Sequence, residues 1–362
     1  MVLLSHEGET LPSGYPWWLY PVGVFGNGGN GVEFFFILSG YLITSILIRE
    51  YDAIGRIDMK AFYCRRILRI FPAFYLFLLF IVSLNTAGIL TISGTDLIFA
   101  GTHLLNYRQG IGLLVGLPDT WSPDYLFIGH FWTLSMEEQF YWMWPVTLLF
   151  LLRTRWYGIL LAVILAMPFI RFGSYYLFPG LRGQLGMMLH TASDGIFSGC
   201  LLAICLARHP VFSQRLRLPS WVITGLVLYI CPISGLLERV MPRGYDVVLR
   251  MTPVIAAMTL IIANLLLQEQ ATWYQRLLSS GPLVYLGRIS YSVYLWQQIF
   301  LTKANITFLG KPLINLAAAL VMGWLSYRLI ELPFIRIKDK YFPSHTKVPA
   351  LPVSSPAVVS PG

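Results

Sequence analysis

The sequence predicts an all-α, polytopic membrane helical bundle, and three features of the chain support this prediction. Hydrophobic residues make up 56% of the 362 residues and charged residues only 12%, against about 25% charged in an ordinary soluble domain. The mean hydropathy is +0.64. The apolar residues are concentrated in runs of about 20, the helix length that crosses a hydrocarbon core of about 30 Å. These features argue against a soluble enzyme.

Nine apolar runs are long enough to form complete transmembrane helices. They cover approximately residues 32–48, 70–92, 128–152, 156–178, 184–207, 218–237, 247–267, 282–302 and 312–330. The second run has no charged side chain from Ile70 to Ile92. Several of the others carry isolated charges, which must face the protein interior or an aqueous cavity. These charges are the first candidates for functional residues.

The distribution of Lys and Arg predicts the orientation. Most of the 26 basic residues fall in or beside alternate loops, at residues 49–69, 153–155, 208–217, 276–288 and 328–347. Loops on the cytoplasmic side carry an excess of Lys and Arg, so we place these loops in the cytoplasm. The chain is therefore expected to be a multi-pass protein of the cell membrane with both termini in the cytoplasm.

The N-terminal residues are too few to complete a further helix. The orientation places residues 7–31 outside, so a cytoplasmic N-terminus requires a helix before residue 7. Residues 1–5 contain only a short apolar run, which does not cross about 30 Å. We interpret it as the stub of a tenth helix. The membrane domain is predicted over residues 1–342, and the Pro- and Ser-rich residues 343–362 are predicted to form a disordered cytoplasmic tail.

Two titratable residues flank the predicted outer end of the first complete span. His6 follows the stub, and its imidazole titrates near neutral pH, although a histidine at a membrane interface is commonly a surface residue. Glu33 precedes several wholly apolar turns. Its carboxylate either complements the helix dipole or orients a histidine. In the same run, Ser39 and Gly40 offer a small surface for close helix packing.

Arg66 and Arg69 lie at the predicted cytoplasmic mouth of the second span. They are three residues apart and share one helix face. Their guanidinium groups have the forked geometry that suits phosphate. The competing interpretation is that they follow the positive-inside rule and contact anionic lipid headgroups.

Carboxylates also occur inside two predicted spans. Glu137 and Glu138 lie in a run rich in aromatic residues, where a carboxylate is costly in lipid and should face a polar interior. Adjacent helical residues point about 100° apart, so the two do not form a facing acid/base pair. Tyr141 lies about one turn from Glu137 on the same face. Asp194 is a further acid within a span, with a salt bridge to an arginine as its structural interpretation.

Two other classes of site are not indicated. The net charge is +9, but a nucleic-acid footprint requires a dense basic patch on a polar module, which the sequence lacks. The four cysteines lie in or beside apolar runs, without a CxxC pair or a Cys/His spacing suited to zinc. We therefore expect no nucleic-acid partner and no metal.

Together, these motifs resemble the acyltransferase 3 family of integral membrane O-acyltransferases. The resemblance rests on five motifs in order and covers roughly residues 3–340. They are GVEFFFILSGYLITSIL from Gly31, FYCRRILRIFPAFY from Phe62, HFWTLSMEEQFYWMWP from His130, GRISYSVYLWQQ from Gly287, and RLIELPF from Arg328. The family has ten core helices, in agreement with nine spans and the stub of a truncated first helix.

The resemblance implies a function and a set of site residues. Family members transfer acyl groups, usually acetyl, from coenzyme A to hydroxyls of glycans and related molecules. The family's first-helix histidine corresponds to His6, and its pair of arginines corresponds to Arg66 and Arg69. The implied roles are general base for His6 and binding of coenzyme A phosphates for the arginines. Glu33 is a candidate to orient His6.

Three further implications follow from the resemblance. Glu137 and Tyr141 are expected to line the substrate pocket. Many members have a histidine after the tryptophan where this chain has Gln297 and Gln298. The expected partners are acyl-CoA, a glycan or lipid-linked sugar acceptor, and membrane lipids, with no permanently bound cofactor.

Two other functions remain open. A transporter or flippase of glycan intermediates would also have many spans and isolated intramembrane charges, but it predicts paired internal repeats, which the sequence does not contain. An inactive truncated paralogue that serves only as a membrane partner is the second alternative. Release of coenzyme A on addition of an acceptor distinguishes the enzyme from both.

Overall fold

Helices make up all the regular structure of the described residues. The computed structural model describes residues 28–118, 120–209, 211, 214–241, 244–268, 273–301 and 312–343. Within these ranges the prediction of an all-α fold is confirmed. His6 and residues 344–362, which form nearly all of the predicted tail, lie outside them.

Sixteen α-helices are described in chain order. They are α1 (Gly28–Ile54), α2 (Met59–Thr86), α3 (Gly94–Gly101), α4 (Arg108–Val115), α5 (Leu126–Gly129), α6 (Phe131–Thr154), α7 (Gly158–Leu177), α8 (Leu189–Ala192), α9 (Asp194–Arg208), α10 (Ser220–Leu228), α11 (Ser234–Val240), α12 (Met251–Leu267), α13 (Trp273–Leu278), α14 (Gly281–Phe300), α15 (Pro312–Ser326) and α16 (Leu332–Tyr341). Short 3₁₀ turns lie at Leu105–Tyr107 and Pro179–Gln184, and π-helical turns lie at Tyr229–Ile233, Asp246–Arg250 and Tyr327–Glu331.

Six helical segments of the described residues are long and apolar enough to cross a membrane. They are Gly28–Ile54, Met59–Thr86, Gly158–Leu177, Ser220–Leu237, Val248–Leu267 and Ile314–Tyr341. The other three predicted spans correspond to α6, α9 and α14. Helix α6 contains two carboxylates, α9 is only 15 residues long, and α14 contains Arg288. The predicted number of nine complete spans is therefore not confirmed.

The second span begins earlier than its apolar run. Helix α2 starts at Met59, eleven positions before the predicted boundary at residue 70. The Asp58 side chain accepts a hydrogen bond of 2.9 Å from the Ala61 backbone N–H, which satisfies one of the free donors of the first turn. Arg66 and Arg69 consequently lie within the helix, about two and three turns from its start, rather than at its mouth.

Helices α1 and α9 pack closely through glycine. A Cβ atom on Gly40 would lie 2.1 Å from the Ile196 carbonyl oxygen, and one on Gly199 would lie 2.0 Å from the Ile37 carbonyl oxygen. Only glycine allows the two backbones to approach this closely. The predicted packing role of Gly40 is therefore confirmed, and this contact fixes the position of α1 in the bundle.

The segment between α2 and α6 folds back against both helices. The Tyr75 hydroxyl donates to the Gly101 carbonyl (3.1 Å), and the Gln139 amide donates to the His103 carbonyl (2.8 Å). Backbone carbonyls of a non-helical segment inside a bundle need hydrogen-bond donors from elsewhere. Here the side chains of the long helices α2 and α6 provide them. A buried ion pair between Arg108 and Asp96 (2.8 Å) fixes the same segment.

We predict that Gly40→Ala destabilises the bundle, because the added methyl group overlaps the Ile196 backbone. Overpacking of this kind costs about 1–3 kcal/mol. The matched control is Gly225→Ala on α10, where a Cβ atom meets nothing within 4 Å. Size-exclusion chromatography of detergent-solubilised protein after heating should show a lower melting temperature for Gly40→Ala only. Equal melting temperatures for the wild type and Gly40→Ala would contradict the packing account.

Candidate active site

A buried polar cluster joins α1 to α6. The Ser39 hydroxyl donates to Glu137 Oε1 at 2.5 Å and lies 2.9 Å from the Tyr141 hydroxyl. The Tyr141 hydroxyl also donates to Glu137 Oε1. All three side chains are buried. The sequence-predicted pair of Glu137 and Tyr141 is therefore brought together, with Ser39 as a partner that the sequence reasoning treated only as a packing residue.

Helix α2 adds a cation to this cluster. The Arg66 guanidinium lies over the Tyr141 ring, 5.1 Å from its centroid, and 5.7 Å from the centroid of Phe62. The Glu137 and Glu138 carboxylates lie within its electrostatic range. A cation over an aromatic face is attracted to the ring, and the attraction increases as water is excluded. Arg66 is half-buried, and its guanidinium lies beside both an aromatic ring and two acids.

The three arginines of this part of α2 have different environments. Arg65 forms an ion pair of 3.0 Å with the buried Glu50 of α1. Arg69 lies one turn beyond Arg66 and is exposed. Arg69 interacts electrostatically with the Glu137 and Glu331 carboxylates. Glu331 ends the π-helical turn before α16 and accepts a hydrogen bond from Ser292. Arg66 therefore lies beside the interior cluster, Arg69 lies at an exposed position one turn beyond it, and Arg65 links two helices.

Two further side chains extend the cluster toward α14. Glu138 is 5% exposed, and its Oε1 has no hydrogen-bond partner among the described residues. The Tyr291 hydroxyl donates to the Ile70 carbonyl at 2.9 Å, directly beside Arg69. Through this hydrogen bond, Tyr291 links α14 to α2 at the residue that follows Arg69.

Glu33 lies apart from this cluster, near the N-terminal end of α1. It is buried and lines a cavity of about 270 Å³ with Asn30, Trp132 and Arg250. The Arg250 guanidinium donates to Asn30 Oδ1 at 3.2 Å. This arrangement provides a carboxylate, a cation and an indole ring around one space. Because His6 lies outside the described residues, the predicted contact between His6 and Glu33 stays a prediction.

The intramembrane acid Asp194 is part of a structural ion pair. Its carboxylate lies 3.0 Å from the Arg171 guanidinium and accepts a hydrogen bond of 2.7 Å from Thr252. Arg171 also donates to the Thr191 carbonyl at 2.8 Å. Both charged side chains are fully buried, so each compensates the desolvation of the other. The salt-bridge interpretation of Asp194 is confirmed.

Within the described ranges, no three His, Cys, Asp or Glu side chains are grouped as a metal site requires.

Besides the role of Ser39, the sequence did not predict a cavity between α1, α6 and α14, which is lined in part by Gln297. The sequence gives no signal for it, because its walls come from three segments far apart in the chain.

The fold and the site define a class: a membrane-spanning helical bundle with an arginine, carboxylate and tyrosine cluster in its interior. Comparison with known families specifies it further. The model of the acyltransferase domain family matches residues 1–330. The chain belongs to this family, the acyltransferase 3 family, and the predicted resemblance is confirmed.

Relatives with curated names are similar over most of this chain. A protein of Staphylococcus aureus strain COL, named only as a candidate O-acetyltransferase, is 27% identical over 336 residues, which cover 85% of this chain and 52% of the relative. The peptidoglycan O-acetyltransferase OatA of Listeria monocytogenes is 25% identical over 338 residues, covering 84% and 51%. The O-acetyltransferase OatA of S. aureus strain NCTC 8325 is 27% identical over 353 residues, covering 89% and 54%.

These relatives are longer than the present chain, which spans about half the length of each. Among solved structures, none matches this chain.

Proposed function

We propose that the chain transfers an acyl group, most simply acetyl, from acyl-CoA to a hydroxyl of a glycan or glycolipid. The observation that carries the proposal is the interior cluster of Arg66, Glu137 and Tyr141 within a chain of the acyltransferase 3 family. The relatives named O-acetyltransferases support acetyl as the group transferred, and the name of the Listeria relative supports a glycan acceptor.

The arginine pair is the proposed binding site for the phosphates of the donor. Arg69 is exposed, and Arg66 lies one turn nearer the start of α2, half-buried with its guanidinium over the Tyr141 ring. Guanidinium groups bind phosphate through two parallel hydrogen bonds. Because α2 is predicted to start on the cytoplasmic side, a cytoplasmic donor meets Arg66 and Arg69 from that side.

The cavity beside Glu33 is the proposed binding site for the acceptor. It lies at the predicted outer end of α1, and the Trp132 indole provides an apolar face of the kind that stacks on a sugar ring. Asn30 and Arg250 supply hydrogen-bonding groups around the same space. The acceptor hydroxyl would be presented there to His6, with the Glu33 carboxylate orienting the imidazole.

In the proposed reaction the acceptor oxygen attacks the thioester carbonyl carbon while the His6 imidazole takes the hydroxyl proton. The new ester C–O bond forms and the C–S bond breaks. The coenzyme A thiolate leaves with the bonding electron pair and receives the proton from the His6 imidazolium. No oxidant or reductant is needed, and general-base assistance is typically worth 10²- to 10⁴-fold in rate.

This reaction requires the donor to extend through much of the membrane. The arginine pair lies on the predicted inner side, and His6 precedes an outer loop. The arm of coenzyme A is on the order of 20 Å long, against a hydrocarbon core of about 30 Å. The thioester would thus reach the outer half of the bundle without a separate carrier.

Purified protein should release coenzyme A from acetyl-CoA when a glycan acceptor is added, with one coenzyme A formed for each acetyl ester. The free thiol and the ester are measured in parallel. A transporter or an inactive paralogue would release no more thiol than a control without protein. That result would exclude the proposed function.

Replacing Arg66 and Arg69 together by Ala should raise the KM for acetyl-CoA by about 100-fold or more, because each charge-assisted hydrogen bond contributes about 1.5–3 kcal/mol. The control replaces Arg56 and Arg153 by Ala, since both are exposed and lie outside the site. This control loses the same number of positive charges but keeps the proposed phosphate site, so its KM should stay close to that of the wild type. A double variant at Arg66 and Arg69 with an unchanged KM would refute phosphate binding.

Replacing His6 by Ala in the full chain should lower kcat by about 10²- to 10⁴-fold, the usual contribution of a general base. The KM for acetyl-CoA should change little, because the proposed phosphate site is unaltered. Steady-state kinetics with both substrates separate the two parameters. Transfer at the wild-type rate would rule out His6 as the base.

A further inference from the structure

An apolar cavity of about 280 Å³ lies between α1, α6 and α14. Val32 and Phe35 of α1, Leu134 of α6 and Val293 of α14 form apolar parts of its wall. It is distinct from the cavity that Glu33 lines, with which it has no residue in common. Its volume is in the range occupied by small ligand groups rather than by a single water.

Most polar side chains around this cavity already have partners within the protein. The Thr133 hydroxyl is hydrogen-bonded to the Tyr294 hydroxyl at 2.6 Å, and Tyr294 lies 3.1 Å from the His130 carbonyl that it donates to. The Tyr291 hydroxyl donates to the Ile70 carbonyl. These groups therefore offer little hydrogen bonding to a ligand.

Gln297 is the exception. It lines the cavity and is 0% exposed, yet neither its amide oxygen nor its amide nitrogen has a hydrogen-bond partner among the described residues. A buried polar group without a partner is destabilising, because it has lost its hydrogen bonds to water. A carboxamide offers one acceptor and a donor group in one plane. Its natural complement is another amide, which supplies an N–H and a carbonyl.

The cavity also leads away from the arginine pair. Tyr291 lines its wall and contacts Ile70 beside Arg69. Gln297 lies six residues further along α14, about 9 Å along the helix axis. The predicted direction of α14 places Gln297 toward the outer side, where the acyl group must reach the acceptor.

We propose that this cavity binds the pantetheine arm of the acyl donor and that Gln297 pairs with the arm's amide nearest the thioester. This inference rests on the proposed function. Pantetheine carries methyl and methylene groups that fit the apolar wall and amides that fit Gln297. A sugar would leave several hydroxyls unpaired there, and a lipid acyl chain would leave the Gln297 amide unpaired.

The test uses truncated donors that lack the nucleotide. S-acetyl-N-acetylcysteamine keeps the amide nearest the thioester, and in its ketone analogue a methylene replaces the amide N–H. Gln297→Leu should lower kcat/KM about tenfold for acetyl-CoA and for the amide donor, the effect of one or two neutral hydrogen bonds. The same substitution should lower kcat/KM for the ketone donor by a smaller factor, because that donor keeps the carbonyl acceptor and lacks only the N–H of the amide pair.

Gln298→Leu is the matched control, because Gln298 is a buried neighbour on α14 that does not line the cavity. It should show no difference between amide and ketone donors. Inhibition by adenosine 3′,5′-bisphosphate, which resembles the nucleotide end of the donor, should be equal in wild type and Gln297→Leu and so reports an intact fold.

Two results would overturn the inference. Equal losses with the amide and ketone donors, or no loss with either, would mean that Gln297 does not recognise the amide, while the wild-type activity with acetyl-CoA would leave the proposed function standing. A wild-type protein that transfers acetyl from none of the three thioesters would overturn the proposed function and this inference together.

Discussion

The Glu137 carboxylate lies in the interior of an apolar bundle, and the arrangement of the surrounding helices depends on how it is stabilised. A buried carboxylate is costly unless hydrogen bonds or a cation compensate for the lost water. Here the hydroxyls of Ser39 and Tyr141 and the guanidinium of Arg66 provide both. The next residue of α1, Gly40, packs directly on α9, where no larger residue fits. The site and this helix contact therefore lie next to each other on α1.

The sequence predicted those features that depend on local patterns. Apolar runs indicated the helices, the spacing of Glu137 and Tyr141 indicated a shared face, and Gly40 indicated a close crossing. Features that depend on distant neighbours were not predictable. The start of α2 at Met59 is a local exception, because it depends on the neighbouring Asp58 cap as well as on hydropathy. The hydrogen bond of Ser39 joins residues 98 positions apart, and the cavity beside Gln297 is formed by three separate segments.

The environments of the arginines in α2 explain how one basic motif serves two purposes. Arg65 pairs with Glu50 and joins two helices. Arg66 lies beside the interior cluster, within electrostatic range of the Glu137 and Glu138 carboxylates, and the exposed Arg69 interacts with the Glu331 carboxylate. In the proposed function, an incoming phosphate competes with these acids for the two guanidinium groups. The apolar cavity along α14 and the cavity beside Glu33 are lined by neighbouring turns of α1 and α6, so in the proposed function donor and acceptor meet there.

In the proposed mechanism, a donor held on the cytoplasmic side acylates an acceptor on the outer side. The most direct measurement uses sealed proteoliposomes of known protein orientation, with acetyl-CoA confined to the side that exposes the cytoplasmic loops. A membrane-impermeant glycan is supplied only on the opposite side. The account predicts acetyl ester on the glycan and free coenzyme A in the donor compartment. Ester formation only when donor and acceptor share one compartment would contradict it.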